Sequence, residues 1–342
     1  MRATLKDIAE AIGVSIVTVS KVMRGHGDIG PETRQKVLDK AKELNFRPNL
    51  AARSLVTGKS SIVGLVVPDL LHPYFVEIAK SLAATLRKNG YYLMLSSSEE
   101  DPRMEEQEVE HLLALRLDAL VVASCAPAVP KLFSDIQDQG TPLVLLDRSF
   151  DGFRCNFVGS DNSQMGYLAT QHLFSLRRKR IAHIRGPENS IGRGRYEGYL
   201  KAFEEEGLEP NPKYVVGTST VDVDSTPQGR DAMKRLLAVK PRPDAVFCYS
   251  DPIAIGAMDA IFEAGLRIPE DIAIVGCGNL HYDEHLRVPL TSVDQGSTRI
   301  GVRAAKMLLS ILDSKAAPSG KPAIRRTIEP AEIVIRESTR HS

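Results

Sequence analysis

Seven side chains near the start of the chain carry its first legible chemistry: Ser15, Ile16, Val17, Thr18, Ser20, Lys21 and Arg24. They share one helix-length stretch whose inner positions, Val19 and Val22, are apolar. That periodicity leaves the seven facing outward. Ile16 and Val17 gain nothing on a solvated face, but branched apolar groups pack on thymine methyls in a DNA major groove. The hydroxyls and the two cations suit phosphates and base edges. The competing reading is a small capping bundle without a ligand, and the outward apolar pair argues against it.

A second set lies further along, where apolar runs end. Asp147 closes PLVLLD, Ser250 and Asp251 close DAVFCYS, and Asp294 and Gln295 follow PLTSV. Open α/β sheets bind ligands at the carboxyl ends of their strands, so these polar groups are candidates to hold a small polar molecule. Asp251 serves equally well as an N-cap for the helix that follows. Tyr74 and Phe75, in HPYF, can wall such a cleft, or belong to the core or a dimer surface.

No catalytic constellation accompanies either set. GCGNLH has only the first two glycines of a dinucleotide fingerprint, GRGRYEG lies in a helix with its third glycine late, and there is no P-loop. His72, His111, His172, His183, His281 and His285 lack metal-ligand spacing, and no nucleophile elbow is present. The expectation is a non-enzyme with no cofactor and no metal. An α/β enzyme is the alternative that turnover of a cleft ligand would revive. Cys125, Cys155, Cys248 and Cys277 are far apart without a CxxC pair, which reads as reduced thiols.

The elements that must position these residues follow from pattern. Thr4 and Asp7 form a capping box, and Leu5, Ile8, Ala9 and Ile12 give the first helix one apolar face. Gly13 stops it, Ser15 caps the second helix, and Pro31 opens a third lined by Val37, Ala41 and Leu44. Three short helices with a glycine turn fit a helix-turn-helix unit. RPNLAARSLVTGKSS, bracketed by Pro48 and Gly58, reads as a linker holding a helix too short to persist alone.

From Ser61 onward, apolar runs at 61–67, 91–96, 118–124, 142–147, 180–186, 244–250 and 271–278 alternate with helix-length segments at 73–89, 102–115, 161–176, 191–206, 226–238 and 251–265. A further helix at 297–312 and final strands follow. This is the pattern of parallel sheets with crossover helices, in sufficient quantity for two. Residues 1–60 carry 11 Lys and Arg against 6 Asp and Glu, whereas the remainder carries 33 against 37. A basic head on a slightly acidic body suggests a polyanionic partner for the head alone. No apolar run reaches the roughly 18 residues of a membrane span, and no signal segment precedes the head. A cytoplasmic protein is expected.

TLKDIA, GVS, TVSKV and ETRQKVLDKAKELNFRPNLAARSL, in this order and spacing, resemble the LacI/GalR transcription regulators, and the resemblance runs to the C-terminus. It implies an α/β protein: a helix-turn-helix DNA-binding domain (1–46), a hinge helix or linker (47–60) and an effector-binding, dimerising body (61–342). The body would be periplasmic-binding-protein-like, with two lobes of doubly wound parallel sheets and three crossings between them. The N-lobe is expected at about 61–160 and 291–320, the C-lobe at about 161–290 and 321–340.

The resemblance further implies a homodimer on pseudo-palindromic double-stranded operator DNA. Leu55 would wedge into the minor groove, Ala51 and Ala52 would meet the partner helix, and Arg53 would lie near phosphate or groove edges. Thr4, Asn49, Ala52, Arg53 and Leu55 thereby join the seven outward residues as DNA contacts. Arg195, in GRGRYEGY, matches the family's ligand-binding arginine, with a helix-surface ion pair as the alternative. The function implied is repression controlled by a small polar effector, a sugar, sugar acid or related metabolite, in the service of carbohydrate metabolism. A binding protein with a vestigial head is the alternative.

Two departures bear on the effector. Many relatives carry G-[FY]-D-[DN] where this chain has Gly276, Cys277, Gly278 and Asn279, so the carboxylate that often grips a sugar diol is missing at Gly278. The aromatic residue that often stacks on the ligand is replaced by Asp224. A sugar acid or another polar metabolite gains weight over a plain hexose.

Overall fold

The computed structural model describes residues 3–25, 27–47, 54, 57–219, 224–314 and 323–340. The chain divides into two units, Met1–Ser60 and Ser61–Ser342.

In the first unit, α1 (Leu5–Ile12) begins at a complete capping box. Asp7 N–H donates to Thr4 Oγ1 (3.3 Å) and Thr4 N–H donates to Asp7 Oδ2 (2.7 Å). Gly13 ends it at φ +71°, a left-handed conformation that glycine adopts without a Cβ penalty. Ser15 Oγ accepts from Thr18 N–H (3.0 Å) and so starts α2 (Ile16–Met23). Pro31 opens α3 (Pro31–Glu43). Ile8, Ala9, Val19, Val22, Val37 and Ala41 form the core where the three helices meet.

The second unit holds two six-stranded sheets. The first contains β1 (Ile62–Val67), β2 (Tyr92–Ser97), β3 (Ala119–Val122), β4 (Leu143–Leu146), β5 (Asn156–Ser160) and β11 (Arg326–Glu329), in the order β11-β5-β4-β3-β1-β2. Every pair in it is parallel. Alternation along the strands feeds two cores. Val63, Leu65 and Val67 pack against α4 (Pro73–Lys88) and α11 (Ser297–Ser314). Leu120 and Val122 pack against α5 (Pro102–Ala114) and α6 (Lys131–Asp138) on the other face.

The second sheet contains β6 (Ile181–Arg185), β7 (Val215–Gly217), β8 (Ala245–Cys248), β9 (Ala273–Gly278), β10 (Thr291–Asp294) and β12 (Glu332–Val334). Its order is β12-β10-β9-β8-β6-β7, and only β12 runs antiparallel to its neighbour. One face carries α7 (Asn162–Ser175) and α8 (Ser190–Glu205), the other α9 (Ser225–Ala238) and α10 (Asp251–Glu263). Glycines let α7 and α8 touch backbone to backbone. A Cβ on Gly166 would lie 1.9 Å from Arg195 O, and one on Gly198 would lie 2.0 Å from Ser163 O. This contact fixes the depth at which α8 presents Arg195.

The α/β architecture expected from the sequence is present. The lobe boundaries differ at two places. The expected first-lobe span of 291–320 begins too early, because Thr291–Asp294 pairs with β9 in the second sheet. Thr291 N–H donates to Ser338 Oγ (2.8 Å) and Ser292 Oγ donates to Asp251 Oδ1 (2.6 Å), so β10 is tied to that sheet and the chain crosses only after Asp294. The expected second-lobe span of 321–340 also begins too early, because Arg326–Glu329 extends the first sheet beside β5. There Glu329 Oε1 accepts from Arg303 Nε of α11 (2.8 Å). The chain therefore passes between sheets after β5, after β10 and between β11 and β12. The helix Lys131–Asp138 and the strands β5, β7 and β10 fall outside the expected runs.

Candidate functional site

On the first unit, Ile16 and Val17 are 47% and 62% exposed, so the apolar pair does face outward. Some polar neighbours are engaged locally. Ser15 Oγ shares a hydrogen bond with Thr18 Oγ1 (2.9 Å), Lys21 pairs with Asp28 (2.5 Å), and Arg24 Nε donates to Ser20 O (3.2 Å). These exposed bonds are weak enough to yield to phosphate. Thr4 differs: its hydroxyl donates to Asp7 Oδ2 (2.9 Å) and completes the cap. The expected contacts Asn49, Ala52, Arg53 and Leu55, with Ala51, lie outside the described residues.

In the second unit the strand ends converge as expected, with two exceptions. Asp147 follows β4 in a left-handed backbone (φ +62°), held by its N–H to Val158 O (3.0 Å). Its Oδ1 accepts from Tyr74 Oη (2.9 Å). Burial raises its pKa above the usual carboxylate range, against the pull of Arg148 and Arg195. Tyr74 and Phe75, at the start of α4, are buried in the first-lobe core and also line the cleft, so both of those readings hold.

Arg195 reaches in from α8. Its Nε donates to Asn162 Oδ1 (3.1 Å), Nη1 to Tyr249 O (2.5 Å) and Nη2 to Gln295 Oε1 (2.9 Å). Its guanidinium lies over the Tyr249 ring, 4.7 Å from the centroid. Ser250 Oγ is buried in the same pocket with no hydrogen-bond partner among the described residues.

Asp251 does not reach the pocket. It is the first residue of α10, one position after the N-cap residue Ser250, and its carboxylate turns into the second lobe. There Oδ1 accepts from Ser292 Oγ (2.6 Å) and Oδ2 from Leu280 N–H (3.2 Å). Asp294 is the second correction. Its Oδ1 accepts from Gly296 N–H (2.7 Å), shaping the turn before α11, and Arg299 lies 3.7 Å from its Oδ2.

The pocket also includes His72, Ile191, Tyr249 and Cys277, which no sequence pattern marked. His72 accepts from Tyr74 N–H (3.3 Å) and caps α4. Burial, then the cations Arg195 and Arg148, lowers its pKa to about 4, so it is neutral at neutral pH. Burial likewise pushes the Cys277 thiol up to about 12. Only about 20 Å³ stays open at this depth, room for about one water. Along the neighbouring segments lies a chamber of about 600 Å³, lined by Glu100, Cys125, Arg148, Phe150, Ser190 and Arg193 among others. Arg148 pairs with Glu100 (2.6 Å) and Arg193 with Asp151 (3.0 Å). Ser149 N–H donates to Ser190 Oγ (3.2 Å), joining a loop of the first sheet to a helix of the second. The described residues contain no group of three or more metal-ligating side chains.

Comparison with known proteins fits this geometry. Residues 4–49 match the family described as bacterial regulatory proteins, lacI family, and residues 60–337 match periplasmic binding proteins and sugar binding domain of LacI family. The chain is similar to the HTH-type transcriptional repressor PurR of Pasteurella multocida, 34% identical over 340 residues, covering 99% of each chain. The PurR of Haemophilus influenzae (strain PittEE) is 34% identical over 351 residues, again covering 99% of each. Among solved structures, the Lac repressor dimer bound to operator and the anti-inducer ONPF has a TM-score of 0.84 at 25% identity, covering 99% of both chains. A complex of the transcriptional regulator CelR with cellobiose has a TM-score of 0.73 at 28% identity, covering 98% of this chain and 100% of that one.

Proposed function

We propose a regulatory cycle for this chain, which belongs to the LacI family of bacterial regulatory proteins. It is a DNA-binding transcriptional repressor of that family. Two copies bind a pseudo-palindromic operator, with α2 of each in the major groove and Ile16 and Val17 against base methyls. The segment 47–60 serves as the hinge, with Leu55 as its minor-groove wedge. A small polar effector occupies the cleft of the body, shifts its two lobes and changes operator affinity. Such coupling typically amounts to roughly 1–3 kcal/mol. The regulated genes serve carbohydrate or related metabolism, and operator binding places the protein in the cytoplasm. Among the described residues no helix is long and apolar enough to cross a membrane.

The observation that carries the effector reading is Arg195. It is buried at the strand ends and bonded to Gln295, on the segment that links β10 to α11. A ligand that engages Arg195 acts directly on a connection between lobes. Dimerisation is supported by apolar groups left in solvent on one edge of the first lobe. Leu71 is 80% exposed before α4, Val76 is exposed on α4, and Met94 and Leu95 are exposed on the edge strand β2.

The test is selection of bound duplexes from a random library at about 150 mM salt, which suppresses phosphate-only binding. A two-fold symmetric motif is expected. Absence of any enriched motif, with and without a metabolite pool, would refute operator recognition and favour the vestigial-head alternative.

A further inference from the structure

Arg195 is 3% exposed, yet each of its hydrogen bonds ends on a neutral acceptor: the Asn162 amide, the Tyr249 carbonyl and the Gln295 amide. No carboxylate forms an ion pair with it among the described residues. Asp147 lies within its field, but its Oδ1 is occupied by Tyr74 Oη and burial favours its neutral form. Burial favours the neutral forms of Tyr74, Cys277 and His72, which also line the pocket. A buried cation without a bonded anion is an unfavourable arrangement that a site keeps for a reason. Ser250 Oγ supplies a second, unpartnered donor in the same pocket.

We infer that the effector presents a carboxylate to Arg195, and that the Gln295 side chain holds that place while the effector is absent. This rests on the cleft being the effector site. The amide oxygen of Gln295 stands where a carboxylate oxygen would stand, 2.9 Å from Nη2. Its amide nitrogen donates to no described residue, so displacing the side chain costs one neutral hydrogen bond. An incoming carboxylate replaces that bond with a charge-assisted one, about twice as strong, and Ser250 can donate to it as well. A sugar hydroxyl would exchange one neutral acceptor for another and bring no charge to the guanidinium.

The rest of the molecule extends into the adjoining chamber. There the charges are already paired, Arg148 with Glu100 and Arg193 with Asp151. The body of the effector is therefore uncharged, and the class is a carboxylic acid with an uncharged body. Displacement also reaches the lobes. The Gln295 carbonyl accepts from Ser160 Oγ (2.8 Å), which ties the crossing after β10 to the crossing after β5.

Gln295→Glu tests the charge argument without any ligand. It places a carboxylate on Arg195 and forfeits no described hydrogen bond. The thermal midpoint of the body should rise by about 2 °C, the equivalent of one stronger bond in a unit of this size. A fall would mean that Asp147 already neutralises Arg195, and would overturn the inference. In parallel, a bacterial small-molecule extract is separated on an anion-exchange column, and each fraction is added to the full-length protein on its selected operator. The activity that changes operator affinity should elute in the retained fraction and have no effect on Gln295→Glu. Gln295→Ala should respond at about fivefold lower concentration, the equivalent of one neutral hydrogen bond; this variant decides the matter if Gln295→Glu does not fold. Activity in the unretained fraction would overturn the acid class and leave the cleft as effector site. No activity in any fraction, with operator binding intact, would overturn the effector reading itself and this inference with it.

Discussion

Asp283→Asn should remove a loss of stability that the native protein suffers as pH rises. Asp283 and Asp251 are both fully buried and lie side by side in the second lobe. Asp251 has donors for its charge in Ser292 Oγ and Leu280 N–H. Asp283 has no such donor among the described residues. Ionising both would place two like charges together away from water, so one proton stays, and Asp283 holds it. Burial and then Asp251 raise its pKa to about 10, against a weaker opposite pull from Arg336. An unfolded aspartate titrates near 3.8. Between these values the native state binds one proton more than the unfolded state, so stability falls as pH rises, by about 1.4 kcal/mol per pH unit. From pH 6 to pH 8 the loss is about 2.7 kcal/mol, or roughly 4–5 °C in the thermal midpoint of a unit this large. Asparagine keeps an N–H to donate to Asp251 and has no proton to lose. Thermal unfolding of the native protein and Asp283→Asn across this range is the assay. The variant should gain on the native protein steadily toward pH 8 and lose that advantage near pH 4. Parallel pH profiles would show that Asp283 is ionised in the native state, and the argument would fail.

Four further outcomes can be checked. Arg195→Ala should leave operator affinity nearly unchanged in a gel-shift titration and abolish the effector response; a surviving response would remove Arg195 from the site. Ile16→Ser combined with Val17→Ser should weaken specific operator binding by about tenfold or more while sparing salt-sensitive non-specific binding; equal loss of both would show that the pair is structural. Leu55→Ala should act in the same selective way, and equal loss there would refute the wedge. Gly278→Asp should destabilise the body by about 3 kcal/mol or more in urea unfolding, because a Cβ there would meet Asp251 Oδ2 at 2.5 Å and the backbone has φ +147°; native-like stability would show that Asp251 moves aside.

Much of this was legible in the sequence, and the failures share a cause. Capping signals mark a boundary locally, so Thr4 with Asp7, Ser15 and Pro31 placed the head helices within a residue or two. Long apolar runs placed β1, β3, β4, β6, β8 and β9 for the same reason. The missed strand β10 has polar side chains at Thr291 and Ser292, buried only because Ser338, Thr339 and Asp251 come to meet them from distant positions. No window along the chain contains that information. At the cleft, Asp147, Ser250 and Gln295 were legible because strand ends are recognisable, whereas Arg195, inside a helix, was marked only by the family resemblance. Asp251 and Asp294 were misplaced because neighbouring residues at a strand end point in different directions, and one position decides between pocket and interior. Tyr249, Cys277 and His72 carry no polar pattern and look like core until the lobes are assembled.

The departure at Gly278 acquires a physical sense once Asp251 is placed. The carboxylate that related sequences offer from this position has no room here. Cβ atoms on Gly276 and Gly278 would lie 2.2 and 2.5 Å from the two oxygens of Asp251. Asp251 fills that space from the neighbouring helix, buried and held by Ser292 Oγ and Leu280 N–H. The same loop continues to Leu280, buried in the first-lobe core, and to His281, 3.9 Å from Glu77 of α4. The loop that begins at Gly278 is here part of a strut between lobes. The pocket is left with Arg195, and with Asp147 turned toward Tyr74. A cleft whose buried arginine is bonded only to neutral acceptors suits a ligand that brings an acid with it.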